Sequence, residues 1–298
     1  MNRLSVVFNA QNVESDLPRA IASIKGLADE VVVIDQDSDD KTHEVAKKLG
    51  ATVYNHKKVP YVELARNFGV AKAIGDWVLI LDPDEEISAG LSKKIREIVN
   101  KPQADYYRIP RKNIIFGKWI KNTRWWPDYN IRLFKKGAVS WNEIIHTVPL
   151  TQGRGMDFEE KEDFAIVHHH YDSIEEYLDR LGRYTSIQAD LKVKDGHKFT
   201  WRDIITKPSS EFLSRYFSGQ GYKDGIHGLI LCLLQAFSEL VLYIKVWERE
   251  GFFDQSVRVS DVVSEMRAKE KELHFWQNDA LYKETKNIFY RIKKKISL

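Results

Sequence analysis

Two carboxylates stand two residues apart in Leu81-Asp82-Pro83-Asp84-Glu85, directly after the apolar run Trp77 to Leu81. Side chains alternate with period two at a strand end, so Asp82 and Asp84 can face one point in space. Oxygen ligands suit Mg²⁺ or Mn²⁺, which bind through one or two carboxylates plus substrate phosphates. Such an ion neutralises charge on a leaving diphosphate, so the pair points to a nucleotide-sugar donor. A second acidic group, Asp35-Gln36-Asp37-Ser38-Asp39-Asp40, follows Val31 to Ile34 in the same way. Asp35 can accept hydrogen bonds from a base or ribose there. Ser38, Asp39 and Asp40 suit an Asx-type turn and the cap of the next helix. Arg66 precedes the Asp-x-Asp strand and can reach base or phosphates, or pair at the surface with Glu63 three residues earlier.

The elements that must hold these groups read as alternating strands and helices. Leu4 to Phe8, Val31 to Ile34, Ala51 to Tyr54 and Trp77 to Leu81 are apolar, strand-like runs. Between them the spacing predicts helices over Asp16 to Gly26, Lys41 to Gly50 and Val62 to Ile74. This order predicts βαβ units and a parallel sheet, with ligands beyond the carboxyl ends of the strands, where both acidic groups fall. A helix over Ala89 to Asn100 leads away. Residues 105–150 then carry short strand runs, Tyr106 to Pro110 and Ile131 to Phe134, between Gly, Pro and Trp. Ser173-Ile-Glu-Glu176 is a capping box, opening a helix with Tyr177, Leu181 and Tyr184 on one side. The expected parts are 1–104 for the nucleotide-sugar-binding half, 105–172 for the acceptor side and 173–298 for a helical region.

A sugar transfer needs a base to take the acceptor hydroxyl proton. Asp128 in WWPDYN and Glu143 in WNEIIH are the candidates, and a surface carboxylate is the plain alternative for each. Trp125, Trp126 and Trp141 can form an aromatic wall or pack a core. His168-His169-His170 has no zinc-pair spacing, because adjacent side chains point different ways.

The motifs resemble glycosyltransferase family 2, in a subgroup similar to lipopolysaccharide-core glucosyltransferases. The resemblance runs through Ser5 to Glu14, VVVIDQDSDDKT, ARNFGVAKAIGDWVLILDPDE, Asn130 to Lys136, Trp141 to His146, His168 to Tyr184 and GYKDGIHGL. It implies a GT-A fold: a Rossmann-like, mostly parallel α/β sheet with a C-terminal helical region. It implies a UDP-type donor, a glycan or glycolipid acceptor and inverting, metal-dependent transfer of a hexose in cell-envelope synthesis. Asn9, Glu14, Asp35, Gln36, Asp37, Arg66 and Asp82 would then lie along the donor. Asp84 would be the main ligand of Mn²⁺ or Mg²⁺, with Asp82 at ribose or metal and His168 at diphosphate or metal. Two departures stand out: Gln36 replaces an acid or serine, and His146-Thr147 replaces His-Glu. A non-catalytic nucleotide-sugar-binding scaffold of a membrane assembly is the competing function. A nucleotidyltransferase is disfavoured, because FNAQNVESD lacks a glycine-rich basic loop.

The net charge of +3 gives nucleic-acid binding no global support. The single cysteine, Cys232, excludes a disulfide within the chain and points to a reducing compartment. The opening MNRLSVVFNA is too soon polar for a signal peptide, so the cytoplasm is expected. Residues 226–247 are nearly all apolar, but His227, Gln235 and Glu239 form a narrow polar stripe. A buried helix, a membrane-seated helix and an oligomer contact all fit that pattern. The tail sets Ile288, Phe289, Ile292 and Ile296 at helical spacing among lysines and arginine. It is expected either to lie on an anionic membrane surface or to pack its apolar face on the body.

Overall fold

The computed structural model describes residues 1–59, 63–142 and 149–296. The chain divides into two compact units, one of Met1–Ile114 with Trp125–His170, the other of Ile115–Arg124 with Tyr171–Leu298. In the first unit, β1 (Leu4–Ala10), α1 (Leu17–Ser23), β2 (Glu30–Asp35), α2 (Thr42–Lys48), β3 (Thr52–Asn55), α3 (Glu63–Lys72) and β4 (Trp77–Ile80) alternate as expected. Then come β5 (Glu85–Ile87), α4 (Ala89–Asn100), β6 (Tyr106–Ile109), β7 (Arg111–Ile115) and, in the other unit, β8 (Lys118–Trp119). The first unit resumes with β9 (Asn130–Lys135), β10 (Val139–Ser140), β11 (Leu150–Thr151), β12 (Gly155–Asp157) and β13 (Ile166–Tyr171).

The seven-stranded sheet runs β12-β6-β9-β4-β1-β2-β3. Strands β1 to β4 are mutually parallel, and β9 is antiparallel to both β4 and β6. Every residue of β1 and β4 is buried, which explains their unbroken apolar runs: both sheet faces are covered. One face packs on Leu17, Ile21, Leu91, Ile95 and Val99 of the helices. The other packs Val7, Ile34, Val78 and Ile80 against Val70, Ala73, Phe134 and Trp141. Because β1 is flanked by β2 on one side and β4 on the other, successive crossovers leave it in opposite directions. A crevice opens at such a point, beyond the carboxyl ends of the strands, and Asn9, Asp35 and Asp82 stand at those ends.

The second unit is helical: α5 (Ile174–Lys194), α6 (Asp203–Leu213), α7 (Gly225–Arg249), α8 (Val259–Thr285) and α9 (Ile288–Ile296). Ser173 Oγ caps α5 by accepting from the Glu176 amide at 3.1 Å, and Glu176 returns the bond to the Asp172 amide at 2.9 Å. The buried stripe of α5 is Tyr177, Leu181, Thr185 and Ala189. Tyr184, expected inward, is exposed, because strict four-residue spacing carries the packed face to Thr185. Residues 115–124 are tied down by Asp224, whose carboxylate accepts from the Lys121 and Asn122 amides at 3.2 and 2.9 Å. By length and composition α7 could cross a membrane. Yet Gly228, Leu231, Cys232, Leu242, Tyr243 and Val246 are buried along one side of it.

Gly69 lets α3 approach the sheet. A methyl group there would stand 2.7 Å from Val7 Cγ1 and 3.0 Å from Ile34 Cγ1. Overpacking of this kind costs about 1–3 kcal/mol. Gly69→Ala is therefore expected to lower the urea midpoint, with the slope unchanged. An unshifted midpoint would mean that α3 does not need this close approach.

Candidate functional site

Strand β4 ends at Ile80, and the turn 81–84 delivers Asp82 and Asp84 before β5 turns back. Asp82 Oδ2 receives Arg132 Nη2 at 2.6 Å, and Asp82 Oδ1 receives Arg66 Nη2 at 3.2 Å. Arg132 also reaches Glu85 Oε1 at 2.6 Å, and Arg111 stands 3.5 Å from the same oxygen. Arg132 is only 2% exposed and Glu85 is fully buried. Burial by itself would raise the Asp82 carboxyl, but Arg132 and Arg66 outweigh it and hold Asp82 well below the usual carboxylate range. Burial likewise opposes the Arg132 charge, yet Asp82 and Glu85 hold its guanidinium above its ordinary value. Both oxygens of Asp82 are thus engaged by guanidinium groups, an arrangement that the expected metal-ligand role did not include. Arg66 pairs with Asp82 rather than Glu63, and its guanidinium lies 5.6 Å from the centroid of the Trp141 ring.

Asp84 has a different neighbour. Strand β13 pairs antiparallel with β5, setting His168 opposite Glu85, and the His169 amide donates to the Asp84 carbonyl at 2.9 Å. His168 Nε2 thereby stands 3.5 Å from Asp84 Oδ2. The tautomer follows from the bonds around it. Asn113 Nδ2 donates to the Trp125 carbonyl at 2.7 Å and to Asp128 Oδ2 at 2.9 Å. Its Oδ1 is therefore an acceptor, and the 2.6 Å contact with His168 Nδ1 makes that nitrogen the donor. In the neutral ring, the lone pair of His168 then lies on Nε2, beside Asp84, with His170 Nδ1 3.1 Å away. An imidazole nitrogen and a carboxylate at this separation can share one divalent ion, with diphosphate oxygens completing its shell. Among the described residues no three His, Cys, Asp or Glu groups gather to hold an ion unaided, so the donor set fits a metal only together with substrate.

Asp128 does not stand apart as a base. Its Oδ2 takes Arg111 Nη2 at 2.7 Å as well as Asn113, so this oxygen serves the network that orients His168. Its Oδ1 lies 3.5 Å from Asn130 Nδ2. Glu143, like the His146-Thr147 departure, falls outside the described residues.

At the other end of the crevice, Asp35 is buried, accepting from the Ser38 amide at 3.2 Å and contacting His43 Nδ1 at 3.1 Å. Asn9 is also buried, and among the described residues neither atom of its side-chain amide finds a partner, nor does Gln11 Nε2. Native interiors rarely leave such groups unpaired. Gln36 is buried, its amide bonded to the Ala10 carbonyl at 2.9 Å. Asp37 is exposed with φ +48° and accepts from the Lys58 amide at 3.3 Å. Glu14 is exposed, and its carboxylate accepts from the Lys41 amide at 2.9 Å. With Asn12 accepting from the Asp39 amide and Asp40 from the Thr42 and Glu14 amides, it knits two loops together. The helix after β2 starts at Thr42, one residue later than expected, and Asp40 rather than Asp39 accepts at its start.

Sequence reasoning passed over Arg132, Glu85, Arg111 and Asn113. A signal for Arg132 was present: a cation inside Ile131 to Phe134, an apolar strand run, must find a buried anion.

The sequence model of "Glycosyl transferase family 2" matches residues 5–154. An uncharacterised glycosyltransferase of Rickettsia typhi is 30% identical over 260 residues, covering 83% of this chain and 88% of its own. The lipopolysaccharide core biosynthesis glycosyltransferase LpsC of Rhizobium meliloti is 21% identical, over 83% and 93% of the two chains. Among solved structures, S. aureus TarS 1–349 in complex with UDP-GlcNAc is 16% identical over 86% of this chain and 93% of its own, with a TM-score of 0.44.

Arg132→Ala would leave Asp82 and Glu85 without their shared cation, a loss of about 3–5 kcal/mol for a broken buried pair. Asp82 then keeps Arg66 but loses Arg132, the larger of its opposing charges, so its carboxyl rises from the depressed value and its ionised form stabilises the variant less. The wild-type Asp82 term is complete above its unfolded pKa of about 3.9 and is lost only as pH falls towards the depressed folded value. The deficit in denaturant unfolding should therefore be larger at about pH 7 than at about pH 3. An equal deficit at both would show that the carboxylates are not the cause.

Proposed function

We infer the reaction from membership and site together: the chain belongs to glycosyl transferase family 2, and it is a glycosyltransferase. We propose that it transfers a hexose from a UDP-linked donor to a glycan or glycolipid acceptor of the cell envelope, with inversion at the sugar carbon. The observation that carries this reading is the Asp84–His168 pair at the end of β4, beside an Asp82 already neutralised by arginine. The cell-envelope acceptor is supported by LpsC, whose name places that protein in lipopolysaccharide core biosynthesis.

In this scheme Asp35, with Asn9 and Gln36 beside it, takes the uracil and ribose end, and Asp37 and Glu14 shape the loops around it. Asp82 faces the ribose, held in its ionised form by Arg132 and Arg66. Asp84 and His168 would hold Mn²⁺ or Mg²⁺, which would supply positive charge against that of the diphosphate. The acceptor oxygen bonds to the sugar carbon from the face opposite the diphosphate. The carbon–phosphate-oxygen bond breaks, and the hydroxyl proton passes to a carboxylate. Asp128 Oδ1 is the described candidate for that proton. Work in the cytoplasm, on the inner face of the cell membrane, fits a nucleotide-linked donor.

Measuring UDP affinity with and without Mn²⁺ tests the metal reading. Asp84→Ala should remove a metal-dependent gain of at least about tenfold, the equivalent of 1.4 kcal/mol, while circular dichroism stays unchanged. A full gain in the variant would reject Asp84 as the ligand. For Asp128, substitution by Asn should lower kcat by about 10²-fold or more with donor KM unchanged, since a lost base acts on the chemical step. Wild-type turnover would leave Asp128 as the partner of Arg111 and Asn113 alone.

A further inference from the structure

Helix α9 is turned inside out. A helix folded against its own protein presents its apolar face to the protein and its charges to water. Within α9 only Tyr290 and Lys294 are sheltered, and every other residue is exposed. These two are four apart and share one side of the helix. Lys294 Nζ bonds Asp279 Oδ1 of α8 at 2.6 Å, and it stands 4.7 Å from the centroid of the Phe275 ring. The buried Asp279 is also paired with Lys283 at 2.8 Å. Burial would raise its carboxyl, but the hydrogen bonds of Lys283 and Lys294 hold it below its ordinary value. The polar side of α9 is therefore the anchored side.

Its opposite side is apolar and open. Ile288, Phe289, Ile292 and Ile296 are 59%, 51%, 54% and 78% exposed. At about 100° per residue they span an arc of about 100°, with Lys294 nearly opposite its centre. Lys293 and Lys295 border the arc, Arg291 stands beyond Lys295, and Lys286 precedes the helix. From Lys286 to Ile296 there are five basic residues and no acidic one.

We propose that this face of α9 docks on an anionic lipid surface, with the apolar arc in the headgroup–acyl boundary and the basic rim against the headgroups. A short amphipathic helix with lysines beside its apolar face lies in the interface plane in that way. The charge decides between lipid and a second copy of the chain. A symmetric self-contact brings the same patch onto itself, which here would oppose Lys286, Arg291, Lys293 and Lys295 with the same four positive charges. An anionic bilayer offers the opposite sign. Helix α7 of the same unit also leaves apolar side chains outside, although its packed side is apolar as well. Its Ile226, Ile230, Leu233, Phe237 and Ile244 are exposed along one stripe, while Gln235 is bonded to the Tyr177 hydroxyl at 2.7 Å.

Vesicle co-sedimentation of the full chain tests the proposal without reference to donor or acceptor, so it stands or falls separately from the transfer reaction. Binding is expected to vesicles of phosphatidylcholine with phosphatidylglycerol, not to phosphatidylcholine alone. It should fall steeply at ~1 M salt, where charges are screened beyond about 3 Å. Arg291→Gln and Lys295→Gln should each weaken binding about fivefold, the factor equivalent to about 1 kcal/mol per basic residue. Ile288→Glu with Ile292→Glu should abolish it, with circular dichroism unchanged because both side chains are exposed. Three results would overturn the proposal: no binding at low salt, binding that survives both salt and the double substitution, and a lipid-free dimer that the double substitution dissolves. The second would move the attachment to α7, and the third would make the face a self-contact.

Discussion

A guanidinium buried between two carboxylates is the constraint around which the catalytic half is arranged. Arg132 comes from β9, Asp82 from the end of β4 and Glu85 from the start of β5. Desolvating these charges is costly, and the cost is met only if all three stay in register. The same cluster therefore fixes the antiparallel β4–β9 pairing, the turn that carries Asp84, and the direction in which β5 leaves. Strand β13 then reads its register from β5, which is how His168 arrives beside Asp84 across 84 positions of sequence. Loss of the arginine would affect more than one side chain, because three strands take their alignment from it.

The parallel part of this arrangement was legible because its signals are local. Fully buried strands appear as unbroken apolar runs, and carboxylates directly after them must lie at the carboxyl edge of the sheet. The chemistry of the middle segment was less legible, because there a residue's role depends on partners far away. Asp128 looks like a free carboxylate in WWPDYN; only the fold reveals Arg111 and Asn113 holding it. Glu14 reads as a ligand-facing acid, yet its partner is the Lys41 amide at the start of the second helix. Asn113, an amide in a strand, carries no chemical signal of its own, although it sets the tautomer of His168.

The helical half shows the opposite failure, in which a pattern is visible but its sense is ambiguous. Amphipathic spacing gives the existence of a helix and the width of its apolar arc, but not which side faces inward. In α5 the usual rule holds, with Tyr177, Leu181, Thr185 and Ala189 buried. In α7 the stripe of His227, Gln235 and Glu239 fitted a buried helix, a membrane-seated helix and an oligomer contact alike. Gln235 is bonded to the Tyr177 hydroxyl, and His227 lies 3.3 Å from the Phe116 carbonyl. Gln235 ties inward on the same side as the buried Leu231, Leu242 and Val246, while Ile226, Leu233 and Phe237 are left outside.

Exposed apolar arcs have a thermodynamic consequence that polar ties do not cancel. Each apolar side chain left in water forgoes about 1.5–3 kcal/mol that burial would supply. Such arcs stand on two separate helices: α9, anchored through Lys294, and α7, whose opposite, largely apolar side is packed. The lipid docking proposed for α9 would give its arc a partner, because the headgroup–acyl boundary takes up apolar side chains that water leaves exposed.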